Sequence, residues 1–349
     1  MKFQIRAQII AFSILFVLLG TQNTTAQSSE QADSAPAATA EAESKEKSPL
    51  SIYITTDAAY YTKSKYRASD KASHFAPVTG AYNGIECATT LFADYTINTP
   101  LGKNWLLKDA NVLLQGAVEL TPISVRPQIS IGFQPLPFLV LKGGSSVGLG
   151  WNCAGFEGLC KLNEVSFGKP EYKGLSTFRH PFYSLWGEAL LMFDTGAVIK
   201  GDWSHIVMLA SYKTLYSGIA GIERHTPYEW QATKNKAQGL QYEAKGIIAY
   251  QMPLMLYRAG FMYKAEGYFD GSDYGDFDKL YNGDFATISL SPLLQFKFSE
   301  KNELYCLIDF SSRRSFETKH KDEEEEFYLK STGREWYFKR IALSWTHYF

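Results

Sequence analysis

The chain has 349 residues, with 35 basic and 36 acidic side chains, a formal net charge of −1 and 15% aromatic residues. Charge this balanced, and mixed along the chain, excludes the basic footprint of a nucleic-acid-binding surface. Beyond the N-terminal segment no apolar run approaches the roughly 20 residues of a membrane-spanning helix.

The chain opens with Lys2 and Arg6, then an apolar stretch from Ile9 to Leu19 broken only by Ser13, then a polar segment ending Thr24-Thr25-Ala26. This is the layout of a secretory signal peptide over residues 1–26, with cleavage after Ala26. Residues 27–48 are Ser, Ala, Glu, Gln and Lys with almost no large apolar group. Such a segment cannot bury enough surface to offset its ordering entropy, and reads as a disordered leader. Residues 49–349 then form one large β domain.

Strand-like segments follow at about Leu50–Tyr61, Gly84–Asn98, Asn111–Thr121, Ile123–Phe133, Phe138–Gly150, Phe182–Ile199, Ser204–Tyr216, Leu240–Tyr250, Leu254–Gly267, Asp284–Phe298, Asn302–Arg314 and Glu335–Phe349. Thr121-Pro122 is either a tight turn, which gives about twelve strands, or a bulge within one long strand, which gives ten. Short connections at Gln134–Pro137, Lys200–Trp203, Gln251–Pro253 and Ser299–Asn302 alternate with long ones at 151–180, 217–238, 268–283 and 315–334.

Within the strands the faces alternate. Ile288, Leu290, Leu294 and Phe296 share one parity, and Thr287, Ser289, Ser291, Gln295 and Lys297 the other, which also takes Leu293. Leu304, Cys306, Ile308 and Phe310 alternate with Glu303, Tyr305, Asp309 and Ser311. A soluble sandwich also alternates, so periodicity alone does not choose the class.

The last strand, Arg340-Ile-Ala-Leu-Ser-Trp-Thr-His-Tyr-Phe349, closes on an aromatic residue with Ile341, Leu343, Trp345 and Phe349 on one face. This resembles the C-terminal signature of bacterial outer-membrane β-barrels. The resemblance covers nearly the whole chain after the leader and is one of class, without a specific family. It implies an all-β, antiparallel up-and-down transmembrane barrel of about twelve strands (ten to fourteen) in the cell outer membrane. Its partners would be outer-membrane lipid and the barrel-assembly machinery, which would read Phe349. Short turns then face the periplasm and long loops the outside.

On that expectation the polar parity faces the lumen. The candidate pore-lining set is Arg126, Lys142, Glu188, Lys213, Glu243, Lys245, Arg258, Lys264, Glu266, Lys297, Asp309 and Arg340. Keeping such charges off the lipid face avoids about 2–4 kcal/mol each near the midplane. In a water-filled lumen they would set ion preference, and in a closed one they would pair and stiffen the wall. The expected function is a porin-like channel for small polar solutes or ions, without cofactor. The alternative is a non-conducting barrel whose long loops bind a partner, host surface or ion, using Tyr228, Trp230, Tyr274 and Phe277.

Three further features stand out. Cys153 and Cys160 lie in one long loop, and in an exported protein are expected to form a disulfide. Asp270, Asp273, Asp276 and Asp278, with glycines between, are a weak calcium candidate whose spacing departs from an EF-hand loop. The Gly143–Gly150 run lacks the Gly-Lys-Ser/Thr of a phosphate loop and reads as small residues at the outer end of a strand. The six His match no catalytic motif, so no enzyme activity is expected.

Overall fold

A computed structural model describes residues 48–65, 73–104, 106–153, 155–163, 171–317 and 326–349. The segment expected as a signal peptide, all of the expected leader but Ser48, and the acidic run at 322–325 lie outside the described residues.

Twelve antiparallel strands follow one another around a single sheet. They are β1 (Leu50–Ser64), β2 (Val78–Asn98), β3 (Asn111–Thr121), β4 (Ser124–Leu136), β5 (Leu139–Gly150), β6 (Phe182–Asp194), β7 (His205–Ile219), β8 (Gly239–Gln251), β9 (Leu256–Tyr268), β10 (Thr287–Ser299), β11 (Asn302–Phe316) and β12 (Ser331–Tyr348). The sheet closes because β1 pairs with β12 from Tyr53↔Tyr348 to Tyr61↔Arg340. A three-residue strand, Ser73–Phe75, lies parallel to β12 at Arg334–Trp336. The backbone amide of Phe349 donates to the Ile52 carbonyl at 3.1 Å, so the terminal residue sits on the seam.

Thr121 pairs with Ser124, and the register runs unbroken to Asn111↔Gln134. The Thr121-Pro122 segment is therefore a tight turn, and the count is twelve. The Thr121 hydroxyl holds it, accepting from the Ile123 amide at 3.0 Å and sharing a hydrogen bond with Ser124 at 2.8 Å.

The expected facing holds. Ile129, Leu185 and Phe261 are 68%, 65% and 64% exposed on the outside. Ser289, Ser291, Leu293 and Gln295 point inward and are buried, as are Glu303, Tyr305, Leu307 and Asp309 on the neighbouring strand. A closed sheet whose outside is apolar and whose inside carries the charge has the polarity of a protein solvated by lipid. A water-soluble sandwich would bury that belt.

One strand breaks strict alternation. In β12 the pairing steps from Asp309↔Arg340 to Phe310↔Phe338, leaving Lys339 as an extra residue. This β-bulge moves the inward parity from odd to even numbers: Glu335 is buried before it, and Arg340, Ser344 and Thr346 after it.

The interior is uneven along the barrel axis. In the half nearer the short turns, Met262, Leu293, Tyr305 and Leu307 pack together inside one wall. Tyr53, Phe92 and Ala117 pack inside another, with the Tyr53 and Phe92 rings stacked at 4.7 Å. Charges occupy the middle and the half nearer the long loops, and a smaller group, Arg258, Lys297 and Glu303, lies at the short-turn end.

The two faces should respond differently to the same charge. Phe261→Arg, on the outside near mid-strand, is expected to cost about 2–4 kcal/mol in folding into lipid vesicles. Ser130→Arg, facing inward, should cost much less. Urea titration of folding in vesicles measures both, and equal costs would contradict the facing.

Candidate functional site

Inside the barrel, the inward charges are spaced by strand register. Glu188 of β6 sits opposite Lys142 of β5 on one side and Lys213 of β7 on the other. Lys213 in turn faces Glu243 of β8, and Glu243 faces Glu266 of β9. Lys264 holds the two glutamates together, at 3.1 Å from Glu243 and 2.6 Å from Glu266. Across the barrel, Arg126 pairs with Glu119 at 2.5 Å. The Arg126–Glu119 and Lys264–Glu243 pairs are well enclosed and attract strongly because little water screens them, whereas the Glu266 side chain is partly exposed.

Part of this layer borders a partly open cavity of about 770 Å³. Of the predicted set, Arg126, Lys142, Glu188, Lys213, Glu243, Lys264 and Glu266 line it. The other five do not. Arg340 and Asp309 form a buried pair at 2.5 Å, with Ser291 donating to Asp309 at 2.6 Å. Lys245 is buried in the wall opposite Lys264, and its Nζ has no hydrogen-bond partner among the described residues. Arg258 donates to Gln251 and Gln295 near the short-turn end. Lys297 reaches Glu303 at 3.6 Å at the same end and is well exposed.

Glycines make room for aromatic rings in this space. A Cβ on Gly144 would lie 2.6 Å from the Trp186 ring, and one on Gly148 would lie 2.4 Å from the Trp230 ring. The Gly143–Gly150 run is thus a clearance for two indoles, a more specific role than small residues at a strand end. The Trp186 ring then carries the Lys213 ammonium over its face at 4.6 Å, a cation–π contact.

The long loops do not project as separate arms. Leu159–Asn163 and Glu171–Gly174 from one, and Tyr228–Trp230 and Thr233–Lys236 from another, form a four-stranded sheet over the mouth. Its underside packs Leu159, Phe182, Ile219, Tyr228 and Trp230 into one core, with Trp230 stacked on Phe182 at 4.6 Å. Leu162, Ala237, Tyr274, Tyr281 and Phe327 form a second core. Tyr228, Trp230 and Tyr274, expected as exposed binding aromatics, are instead fully buried in this cap, and Phe277 packs against it. Burial of such large apolar area is what brings the loops together.

The tip of the second hairpin reaches into the barrel. Gln231 and Ala232 adopt left-handed φ of 51° and 59°, the pair of conformations of a type I′ turn. That turn aims the Gln231 amide inward, where it donates to Glu119 at 2.8 Å and to Ser124 at 2.7 Å. Cap and barrel wall are thereby joined through the same glutamate that pairs with Arg126.

The hairpin also brings Lys234 and Lys236 to the cavity, and the β12 bulge brings Lys339. Sequence reasoning missed all three. Lys234 and Lys236 lie in a segment that reads only as an outer loop, and strict alternation from Arg340 sends Lys339 outward. Burial holds the Lys236 ammonium below the ordinary lysine range, opposed in part by nearby Glu266.

Two expectations are corrected. Cys153 and Cys160 are free thiols. Cys153 is exposed on a short hairpin paired with Phe156, whereas Cys160 is buried within the cap sheet between Glu229 and Gly174. Cys160 donates to Glu157, and burial with that contact pushes its thiol well above the usual range. The four aspartates do not converge as calcium ligands would. Asp270 accepts from the Ser272 amide, Asp276 pairs with Lys279, Asp278 accepts from the Gly283 amide, and Asp273 is buried against Gly239. Among the described residues no group of three or more His, Cys, Asp or Glu is placed to hold a metal.

Closure without a free edge, an apolar outer belt and a charged, capped interior define the class: a transmembrane β-barrel of the bacterial outer membrane. No protein-family profile matches the sequence, and no curated protein sequence matches it. Among solved structures the chain is similar to the NanC porin, at 8% identity and TM-score 0.37, over 85% of this chain and 99% of that one. It is also similar to an outer-membrane channel from Pseudomonas putida F1, at 8% identity and TM-score 0.42, over 88% and 100%. The translocator domain of the autotransporter NalP from Neisseria meningitidis matches at 8% identity and TM-score 0.35, over 87% and 90%. Likeness at this level carries no functional information, and the class rests on the chain's own closure and polarity.

Two measurements probe the cap. Gln231→Ala leaves a buried glutamate oxygen short of a donor, which costs about 1–3 kcal/mol. Hydrogen exchange over 228–236 should therefore speed up while the barrel strands stay protected, and unchanged exchange would mean that the tie does not hold the hairpin. Cys153 should react with a maleimide on folded protein without reductant, and Cys160 only after unfolding. Protection of Cys153 until reduction would restore the disulfide.

Proposed function

We propose that the protein is a porin-like channel for small polar solutes or ions, with the lumen cavity as its pathway. The observation that carries this reading is the cavity's extent. It runs from Tyr281 beneath the cap to Phe92, Gln115 and Ser130 in the half nearer the short turns, along the wall formed by β2 to β6. The opposite wall is packed by Met262, Leu293 and Leu307. The pathway is therefore eccentric and narrow, held open on one side by glycines and short polar side chains.

Its field favours anions. Nine of the lining side chains are basic and five acidic, an excess of four positive charges among the described residues. A low-dielectric wall focuses that excess on whatever occupies the lumen, and a ring of charge sets ion preference in a channel. Phe349, exposed at the end of β12, suits recognition by the assembly machinery, and its deletion should lower the yield of heat-modifiable barrel in the outer membrane.

Purified protein in planar bilayers should give discrete conductance steps with an anion-selective reversal potential. Lys142→Glu and Lys213→Glu should each move that potential toward cations. The cap over the mouth favours a second reading, a non-conducting barrel that presents the outer surface of its loop sheet to a partner. Silent bilayers from protein that is folded by heat-modifiability would overturn the channel and leave that reading.

A further inference from the structure

The basic residues around the cavity are not evenly matched by acids. Lys264 uses both of its nearest carboxylates, Glu243 and Glu266. Lys236, on the cap strand Thr233–Lys236, and Lys339, at the β12 bulge, line the same cavity. Among the described residues neither has a carboxylate within ion-pair distance, and Glu266, which lines the same cavity, is already engaged by Lys264. Arg126 adds a guanidinium whose partner, Glu119, is shared with Gln231.

Cations gathered around one cavity in excess of its acids repel one another, and a multivalent anion relieves that repulsion at several of them together. The cavity volume is within the range of small-molecule sites. Its outer end is walled by Tyr268, Tyr274 and Tyr281, whose low polarity strengthens an ionic contact. We propose that Lys236 of the cap and Lys339 and Lys264 of the barrel wall form a binding site for a compact polyanion bearing two or more carboxylate or phosphate groups. The bound anion bridges cap and wall, so the loop sheet supplies one of the three lysines of the site. This deepens the channel reading, since it places solute selection at the outer end of the same lumen.

The test uses full-length protein folded in detergent, with citrate and pyrophosphate as probes in calorimetric titrations at constant ionic strength, and acetate as the monovalent control. Saturable binding of one citrate or one pyrophosphate per barrel is expected, with no acetate signal. Binding by citrate alone assigns carboxylates, by pyrophosphate alone phosphates, and by both assigns charge as the criterion. Lys236→Ala and Lys339→Ala should each weaken binding about tenfold or more, the scale of a lost charge-assisted contact. Lys236→Arg should restore it, and Glu266→Gln should tighten it. Heat-modifiable migration and unchanged far-ultraviolet dichroism establish that each variant is folded. Absence of saturable binding to folded wild type, or alanine variants that bind as wild type does, would overturn the site. Saturable binding with silent bilayers would support the site and remove the channel, and conductance without binding would do the reverse.

Discussion

The pairing of β1 with β12 is the constraint on which the rest depends. In hydrocarbon an unpaired strand edge leaves a row of amide and carbonyl groups with no water to receive them, each costing several kcal/mol. Nine residue pairs from Tyr53↔Tyr348 to Tyr61↔Arg340 remove that edge. Once the sheet is closed, every strand has an inside and an outside, and side-chain parity becomes an assignment of solvent. The apolar belt, the enclosed charges and the capped mouth all follow from that division.

Closure also explains how so many charges are tolerated within a membrane-embedded domain. Arg340 with Asp309, Arg126 with Glu119, and Lys264 with Glu243 and Glu266 are direct pairs. Such pairs recover part of the desolvation they incur. Arg340–Asp309, Arg126–Glu119 and Lys264–Glu243 tie neighbouring strands from the inside, while Lys264–Glu266 runs along one strand. The apolar packing of Met262, Leu293, Tyr305 and Leu307 lies on one wall and nearer the short turns. The open volume lies beside the facing wall and toward the cap.

Most of the barrel was legible in the sequence because period-two alternation and loop length are local signals. The strands from Asn111 to Phe349, the facing of Glu243, Lys245, Asp309 and Arg126, and the inward exception at Leu293 all follow from counting residues by twos. The ambiguity at Thr121-Pro122 was not local: it is decided by the register of Glu119 with Arg126, which sequence spacing alone does not reveal. The cap was illegible for the same reason. Its sheet joins residues near 160 to residues near 229, and its aromatics read as exposed because their burial depends on other loops. Glycines at 144 and 148 signal a close approach, but the rings that approach them, Trp186 and Trp230, are far away in sequence. Cys153 and Cys160 are near in sequence and separated by the hairpin geometry between them.

The bulge at Lys339 has a consequence for how this strand tolerates a change in length. Elsewhere in a transmembrane strand, deleting one residue exchanges inside for outside over everything on one side of the deletion. At Lys339 the inward parity already changes, from Glu335 and Tyr337 on one side to Arg340, Ala342 and Ser344 on the other. Excising that residue would leave both halves facing as they do now, with Arg340 still inward and the seam with β1 still in register. The strand that closes the barrel thus carries, near its middle, a position where gene sequence can shorten by one codon without turning the membrane face inside out.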